Sequence, residues 1–141
     1  MGGISWIFHG RNTRGDLLKT RELAAHGVLY APASFLATPF DDVYDTVNGC
    51  GAANSKFDFV PETIWGLYIG DACKIHDWMY EEGRTVEDKE EADRVFLNNI
   101  LRLIDRDDKW YRPKFFLRLR ARTYYVTVTL LGGPAFWLGK N

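Results

Sequence analysis

The chain has 141 residues and a formal net charge of −1, with hydrophobic and charged fractions that are ordinary for a globular protein. This length favours a single domain, residues 1–141, that is large enough to bury a hydrophobic core. A net charge so close to zero argues against nucleic acid as the principal partner.

The N-terminal region predicts no targeting segment. Met1–Ile7 has no charged side chain and no long apolar stretch follows it, so we expect neither a signal peptide nor a transmembrane segment. We therefore expect the protein in the cytoplasm of the producing cell, or released or particle-associated by another route. Gly15–His26 has leucines at helical spacing and Gly27 after it, which predicts a first helix. His9 and His26 lie beside glycines without a partner motif, so a surface or capping role suits them better than catalysis.

Short helices and loops are predicted next. Pro32 permits a helix to begin close to it, and Asp41–Thr46 suits a second short helix. The segment Asn48–Asn54 places two glycines around Cys50, which indicates a sharply turning backbone whose carbonyls can point at a ligand. Taken alone, that segment is better interpreted as a plain loop. Ser55–Gly66 alternates aromatic and polar residues, which predicts an ordered loop with a helical turn after Pro61.

Two long helices are predicted in the centre of the chain. The first is predicted within Leu67–Glu82, since the run from Asp71 to Glu82 has no glycine or proline, and Gly83 ends it. Thr85 followed by an acid three residues later is a variant of the capping box, so the second helix should begin there and continue to about Ile104. Because only three residues join the two helices, they should pack as antiparallel neighbours.

The last long segment, from Pro113 to Leu131, has a divided propensity. Tyr124–Leu130 is β-branched and aromatic, as in a strand, but the segment also fits a helical stripe. We predict a helix, since the sequence shows no second strand to pair with it, and an apolar tail at 135–138. The protein is therefore predicted to be all-α. For the basic stretch Arg112–Arg122, a solvated helix face is preferred to a surface for lipid headgroups.

The chemistry is concentrated on the two central helices. Cys73, His76 and Tyr80 share one face of the first helix, and Asp77 follows His76 directly. Asp93 borders the apolar stripe of the second helix, where a carboxylate must be hydrogen-bonded. The residues predicted to form that stripe are Ala92, Val95, Phe96, Asn99, Ile100 and Leu103. Antiparallel packing brings Asp93 towards His76. A neutral imidazole backed by a carboxylate has a fixed tautomer and can act as a general base.

These motifs resemble the phospholipase A2 superfamily, and the chain is most similar to its short microbial or viral relatives. The resemblance covers 48–99 and is carried by the Gly49-Cys50-Gly51 loop, the Cys73-x-x-His76-Asp77-x-x-Tyr80 helix and Ala92-Asp93-Arg94. It implies a helical fold with two antiparallel helices as the platform of the active site. It also implies calcium-dependent hydrolysis of the sn-2 ester of glycerophospholipids, which releases a fatty acid and a lysophospholipid.

The resemblance also implies roles for the catalytic residues. His76 matches the general base of the family, Asp93 the aspartate that orients it, and Tyr80 a tyrosine bonded to that aspartate. The backbone N–H of Gly51 is a candidate second donor to the oxyanion. The implied partner is a phospholipid membrane surface or micelle, bound peripherally, and the oligomeric state is left open.

The implied metal is Ca²⁺. Asp77 matches the calcium-binding carboxylate, and the backbone carbonyls of Gly49, Gly51 and Ala53 match the remaining protein ligands. An all-oxygen shell of this kind is what calcium prefers. The resemblance further implies a disulfide between Cys50 and Cys73, although a reducing cytosol would leave both as buried thiols. The chain departs from the secreted enzymes in lacking their other cysteines and their long insertion between the two helices.

Two other functions are compatible with the sequence. One is a catalytically silent protein on the same scaffold that binds lipid or belongs to a particle. The other is a metal-dependent phosphohydrolase built on the His-Asp helix, which ranks last because that chemistry usually requires several histidine ligands.

Overall fold

A computed structural model describes residues 14–47 and 60–140. In these ranges the protein is mostly helical, as predicted, with seven helices and one two-stranded hairpin. The helices are α1 (Arg14–Ala25), α2 (Ala33–Ala37), α3 (Phe40–Val47), α4 (Gly70–Glu82), α5 (Val86–Arg106), α6 (Lys114–Leu131) and α7 (Gly133–Trp137). The strands are β1 (Thr63–Ile64) and β2 (Leu67–Tyr68), which pair antiparallel.

The capping box that separates the two central helices is confirmed. The backbone N–H of Asp88 donates to Thr85 Oγ1 at 3.0 Å, and the N–H of Thr85 donates to Asp88 Oδ2 at 3.1 Å. These bonds satisfy N–H groups that have no partner within the helix. They fix the start of α5 directly after Thr85, so the chain reverses within the short link that follows α4. Helix α5 therefore returns along α4, as the short link predicted.

The hairpin was not predicted, because the sequence before α4 was expected to be a loop. Trp65 and Gly66 form its two-residue turn, with φ angles of 50° and 86°. Positive φ angles at both turn residues match the right-handed twist of the two strands. Glycine adopts this conformation readily, but tryptophan rarely does. The hairpin also delays the start of α4 to Gly70, since Leu67 and Tyr68 belong to β2.

One hydrophobic cluster joins elements from α1 to α7. Helix α4 lies at its centre and packs against α1, α3 and α5, while α6 packs on the outside of α5. The predicted apolar face of α5 is confirmed, because its six predicted residues are all buried: Ala92, Val95, Phe96, Asn99, Ile100 and Leu103. This packing holds the two central helices at a fixed distance.

The C-terminal part of the chain differs slightly from expectation. The long helix α6 is confirmed over Lys114–Leu131, but the predicted apolar tail contains a further short helix, α7. Phe136 of α7 is fully buried and its ring meets Tyr80 edge-on at 5.2 Å, so the tail is part of the core. No helix among the described residues has the length and hydropathy needed to cross a bilayer.

Candidate active site

The site is formed where α4 and α5 run side by side. His76 lies in the second turn of α4 and Asp93 in the second turn of α5, and both are buried. His76 Nε2 and Asp93 Oδ1 are 2.7 Å apart, which is a short charge-assisted hydrogen bond. The antiparallel packing thus produces the contact that the sequence predicted.

Tyr80 contacts both members of the His76–Asp93 pair. Its hydroxyl donates to Asp93 Oδ1 at 2.7 Å, and its ring lies 4.2 Å from the imidazole of His76, centroid to centroid. Phe96 flanks the imidazole from α5 at 4.6 Å. The histidine ring is therefore clamped between two aromatic rings as well as hydrogen-bonded, and its orientation is fixed.

Lys89 is a member of the site that sequence reasoning missed. Its ammonium donates to Asp93 Oδ2 at 2.8 Å and to the backbone carbonyls of Val128 and Thr129 at 3.2 and 3.3 Å. Those carbonyls belong to the last turn of α6, where a cation is favourable. The i−4 spacing of Lys89 from Asp93 was the available signal. It was not decisive, because the same spacing usually marks a surface ion pair.

Burial and hydrogen bonding together set the charges of the site. Burial lowers the pKa of His76 below its usual 6.5, and the hydrogen bond and charge of Asp93 offset this only in part. For Asp93, burial raises the pKa, but the bonds from His76, Lys89 and Tyr80 outweigh it and the net direction is down. The resting state is a neutral imidazole beside an ionised carboxylate.

This charge state assigns the tautomer of the imidazole. An ionised Asp93 only accepts hydrogen bonds, so a neutral His76 must carry its proton on Nε2 and its lone pair on Nδ1. The pKa of Tyr80 is raised by burial and by its bond to Asp93, so its hydroxyl stays protonated and donates. The site can therefore abstract a proton at Nδ1 of His76.

Cys73 is a free thiol one turn before His76. Burial, followed by the charge of Asp77, raises its pKa strongly, which makes the thiol unreactive. The expected partner, Cys50, lies outside the described residues, so the predicted proximity of the two cysteines stays a prediction.

The structure describes one of the expected calcium ligands. Asp77 is half-buried on α4, directly after His76, and its carboxylate is a hard oxygen donor that suits calcium. The other expected ligands, Gly49, Gly51 and Ala53, lie outside the described residues. Within 14–47 and 60–140, no three acidic, histidine or cysteine side chains cluster as a metal site would require.

The structure describes one of the other two histidines, His26, and gives it no catalytic partner among the described residues. His26 is exposed after the end of α1, and its Nδ1 lies 2.9 Å from the carbonyl oxygen of Glu22. This is the predicted surface or capping role. His9 lies outside the described residues. Among the described histidines, His76 is the one with a carboxylate partner.

Comparison with known proteins gives no relative to which these residues could be aligned. No protein-family model matches the chain, and neither a curated protein nor a solved structure matches it significantly. A functional assignment therefore depends on the geometry of His76, Asp93, Tyr80 and Lys89 and on the motifs around them.

Proposed function

We propose that the protein is a calcium-dependent esterase of the phospholipase A2 type, which hydrolyses the sn-2 ester of glycerophospholipids to a fatty acid and a lysophospholipid. The observation that carries this proposal is the His76–Asp93 hydrogen bond of 2.7 Å, made inside a buried pair of helices and shared with Tyr80. A buried neutral imidazole with a fixed tautomer is built to act as a base.

In this mechanism His76 activates water. Nδ1 takes a proton from a water molecule as its oxygen attacks the ester carbonyl carbon, and Asp93 stabilises the imidazolium that forms. The tetrahedral intermediate then collapses, the bond to the glycerol oxygen breaks, and His76 returns the proton to that oxygen. Tyr80 and Lys89 do not touch the reacting atoms in this scheme. They position Asp93.

The oxyanion requires electrophilic groups of its own. Asp77, with the carbonyls of Gly49, Gly51 and Ala53, would hold Ca²⁺, which when bound polarises the ester carbonyl and attracts the lipid phosphate. The backbone N–H of Gly51 is proposed as a second donor to the oxyanion. Asp77 is adjacent to His76 on α4, so base and electrophile would lie at the same end of the substrate.

The decisive assay is release of fatty acid from mixed phospholipid vesicles as calcium is titrated. His76→Ala should reduce the rate by about 10²–10⁴-fold, the usual contribution of general-base catalysis. His26→Ala removes an exposed histidine of the same chain and should leave the rate unchanged. Circular dichroism checks that both variants are folded.

Two results would overturn the assignment. Substantial hydrolysis by His76→Ala would show that another group is the base. A parent protein that binds vesicles without hydrolysing them at any calcium concentration would favour the catalytically silent lipid-binding alternative.

A further inference from the structure

The charge of the chain is divided unevenly along its length. Residues 109–141 contain seven lysines and arginines and no aspartate or glutamate, although the whole chain has a net charge of −1. Most of this segment is helix α6 and the link before it. The C-terminal quarter of the protein is therefore suited to an anionic partner.

Helix α6 is unusual because its outer face is apolar as well as basic. Only three of its residues, Leu117, Ala121 and Val128, are buried against the rest of the protein. The exposed side includes large apolar side chains, among which Phe115 is 68% exposed, and the others are Phe116, Leu119, Val126, Leu130 and Leu131. Arginines 118, 120 and 122 are exposed between them. A helix that only covers a core would place polar residues there.

The exposed aromatic rings form two groups, one of three rings and one of two. Trp65, in the hairpin turn, stacks on Phe116 at 5.8 Å, and Phe115 meets Phe116 edge-on at 5.4 Å. Trp110 and Tyr111 form a second pair at 5.8 Å, in which Trp110 is 90% exposed.

Arg112 links the group of three rings to the pair formed by Trp110 and Tyr111. Its guanidinium lies 5.1 Å from the ring centre of Tyr111 and donates to the carbonyl of Trp65 at 3.4 Å, while Asp107 holds it in place with two further bonds. We call this surface the aromatic–basic face. It consists of Trp65, Trp110, Tyr111, Arg112, Lys114, Phe115, Phe116, Arg118, Leu119, Arg120, Arg122, Val126 and Leu130. Its rings contact one another or Arg112, and Arg112 is held by hydrogen bonds to Asp107, so the face is formed before any partner binds.

We propose that the aromatic–basic face docks the protein on the surface of an anionic phospholipid bilayer. This inference rests on the proposed function for the reason that the protein would need a membrane. The residues that support it are not those of the candidate active site. Tryptophan and tyrosine favour the boundary between headgroups and acyl chains, and lysine and arginine are attracted to anionic headgroups. A helix with both kinds of side chain on its outer face lies in the plane of that boundary.

Other partners fit this face less well. Nucleic acid would use the arginines and could stack on the aromatic rings, but it offers nothing to Leu119, Val126 or Leu130. A second copy of the chain would bring two basic surfaces together. Among the described residues Arg120 and Arg122 form no ion pair that would reduce this repulsion. A bilayer supplies both the negative charge and the hydrocarbon.

The test measures binding without hydrolysis. The His76→Ala protein, in EDTA, is floated with vesicles of phosphatidylcholine alone or with added phosphatidylglycerol. The inference requires strong binding to the anionic vesicles and weak binding to the neutral ones. In the same background, Trp110→Ala with Phe115→Ala should weaken binding by at least about tenfold, since both side chains are exposed and available to enter the bilayer. Arg120→Glu with Arg122→Glu should weaken it as well.

Matched controls lie on other surfaces. Tyr30→Ala removes an exposed aromatic residue before α2, and Arg94→Glu reverses an exposed charge on α5. Both should bind like the parent. Equal binding by parent and face variants would overturn the inference, as would binding to a DNA duplex in preference to anionic vesicles, or a dimer that Trp110→Ala dissociates. If the parent floats with vesicles but never hydrolyses them, the face stands and the proposed enzymatic function fails.

Discussion

Lys89→Met tests how the carboxylate of Asp93 is stabilised inside the protein. Oδ1 of Asp93 receives bonds from His76 and Tyr80, and Oδ2 receives the bond from Lys89. The two side chains of the Lys89–Asp93 pair are only 12% and 3% exposed. Because His76 is neutral at rest, Lys89 is the cation that balances Asp93 in the part of the chain that the structure describes. Methionine is one heavy atom shorter than lysine, so it keeps most of the apolar side chain and removes the charge.

The expected loss of stability is large for a single substitution. Removing one partner of a buried ion pair costs about 3 kcal/mol, because the other charge stays buried without compensation. For a chain of this size that corresponds to a fall of about 10 °C in melting temperature. The assay is thermal unfolding in EDTA at neutral pH, followed by circular dichroism.

Two companion variants make this result interpretable. Lys109→Met removes an exposed lysine whose ion pair with Asp108 spans 3.6 Å, and it should lower stability by less than about 1 kcal/mol. Lys89→Arg keeps the cation and should recover part of the loss. If Lys89→Met melts within the range of the Lys109→Met control, the reasoning about Asp93 is refuted. A folded Lys89→Met should also need higher pH for activity, since the charge of Lys89 lowers the pKa of His76.

Three further predictions concern the same helices. Asp77→Asn should abolish both activity and the rise in melting temperature that calcium produces by mass action, while differential scanning calorimetry without calcium shows little change. Thr85→Ala should lower the free energy of unfolding in urea by about 1 kcal/mol, because it removes the bond to the N–H of Asp88. In EDTA, stability should fall as pH drops below 6.5 and again below 3.8. The pKa values of His76 and Asp93 lie below these usual values, so the unfolded chain binds the extra proton first. A urea midpoint that is constant from neutral pH to pH 4 would contradict the His76 part of this prediction.

The helix pair and the His76–Asp93 contact could be predicted because their signals are local. The capping box at Thr85 and the glycine at 83 fix where one helix ends and the next begins, and the short link fixes their direction. Helical periodicity then places Asp93 beside the apolar stripe, where a buried carboxylate requires a partner. Each step needs only a few neighbouring residues.

The features that were missed depend on contacts between distant segments. Lys89 reaches carbonyls of α6 about forty residues later, and no local pattern distinguishes this from a surface lysine. The hairpin turn has a positive φ at Trp65, and the contacts of Trp65 with Phe116 and Arg112 join segments about fifty residues apart. The charges of the stretch 112–122 predict a solvated face, since periodicity does not show which side of α6 the rest of the protein covers and so leaves Phe115 and Leu119 exposed.

A last prediction follows from the sharing of Asp93 by three donors. Tyr80→Phe removes one donor from Oδ1 and Lys89→Met removes the donor from Oδ2, so each variant leaves the carboxylate with fewer partners. The two donors lie on the same small group, so their effects should not add. Once Lys89 is gone, water that reaches Asp93 should solvate its carboxylate, and a solvated carboxylate needs the Tyr80 hydroxyl less than a buried one does. The double variant should therefore lose less stability than the sum of the single variants, by at least about 0.5 kcal/mol in a double-mutant cycle measured by urea unfolding. Additive losses would mean that Lys89 and Tyr80 act on stability independently, and that Asp93 does not couple them.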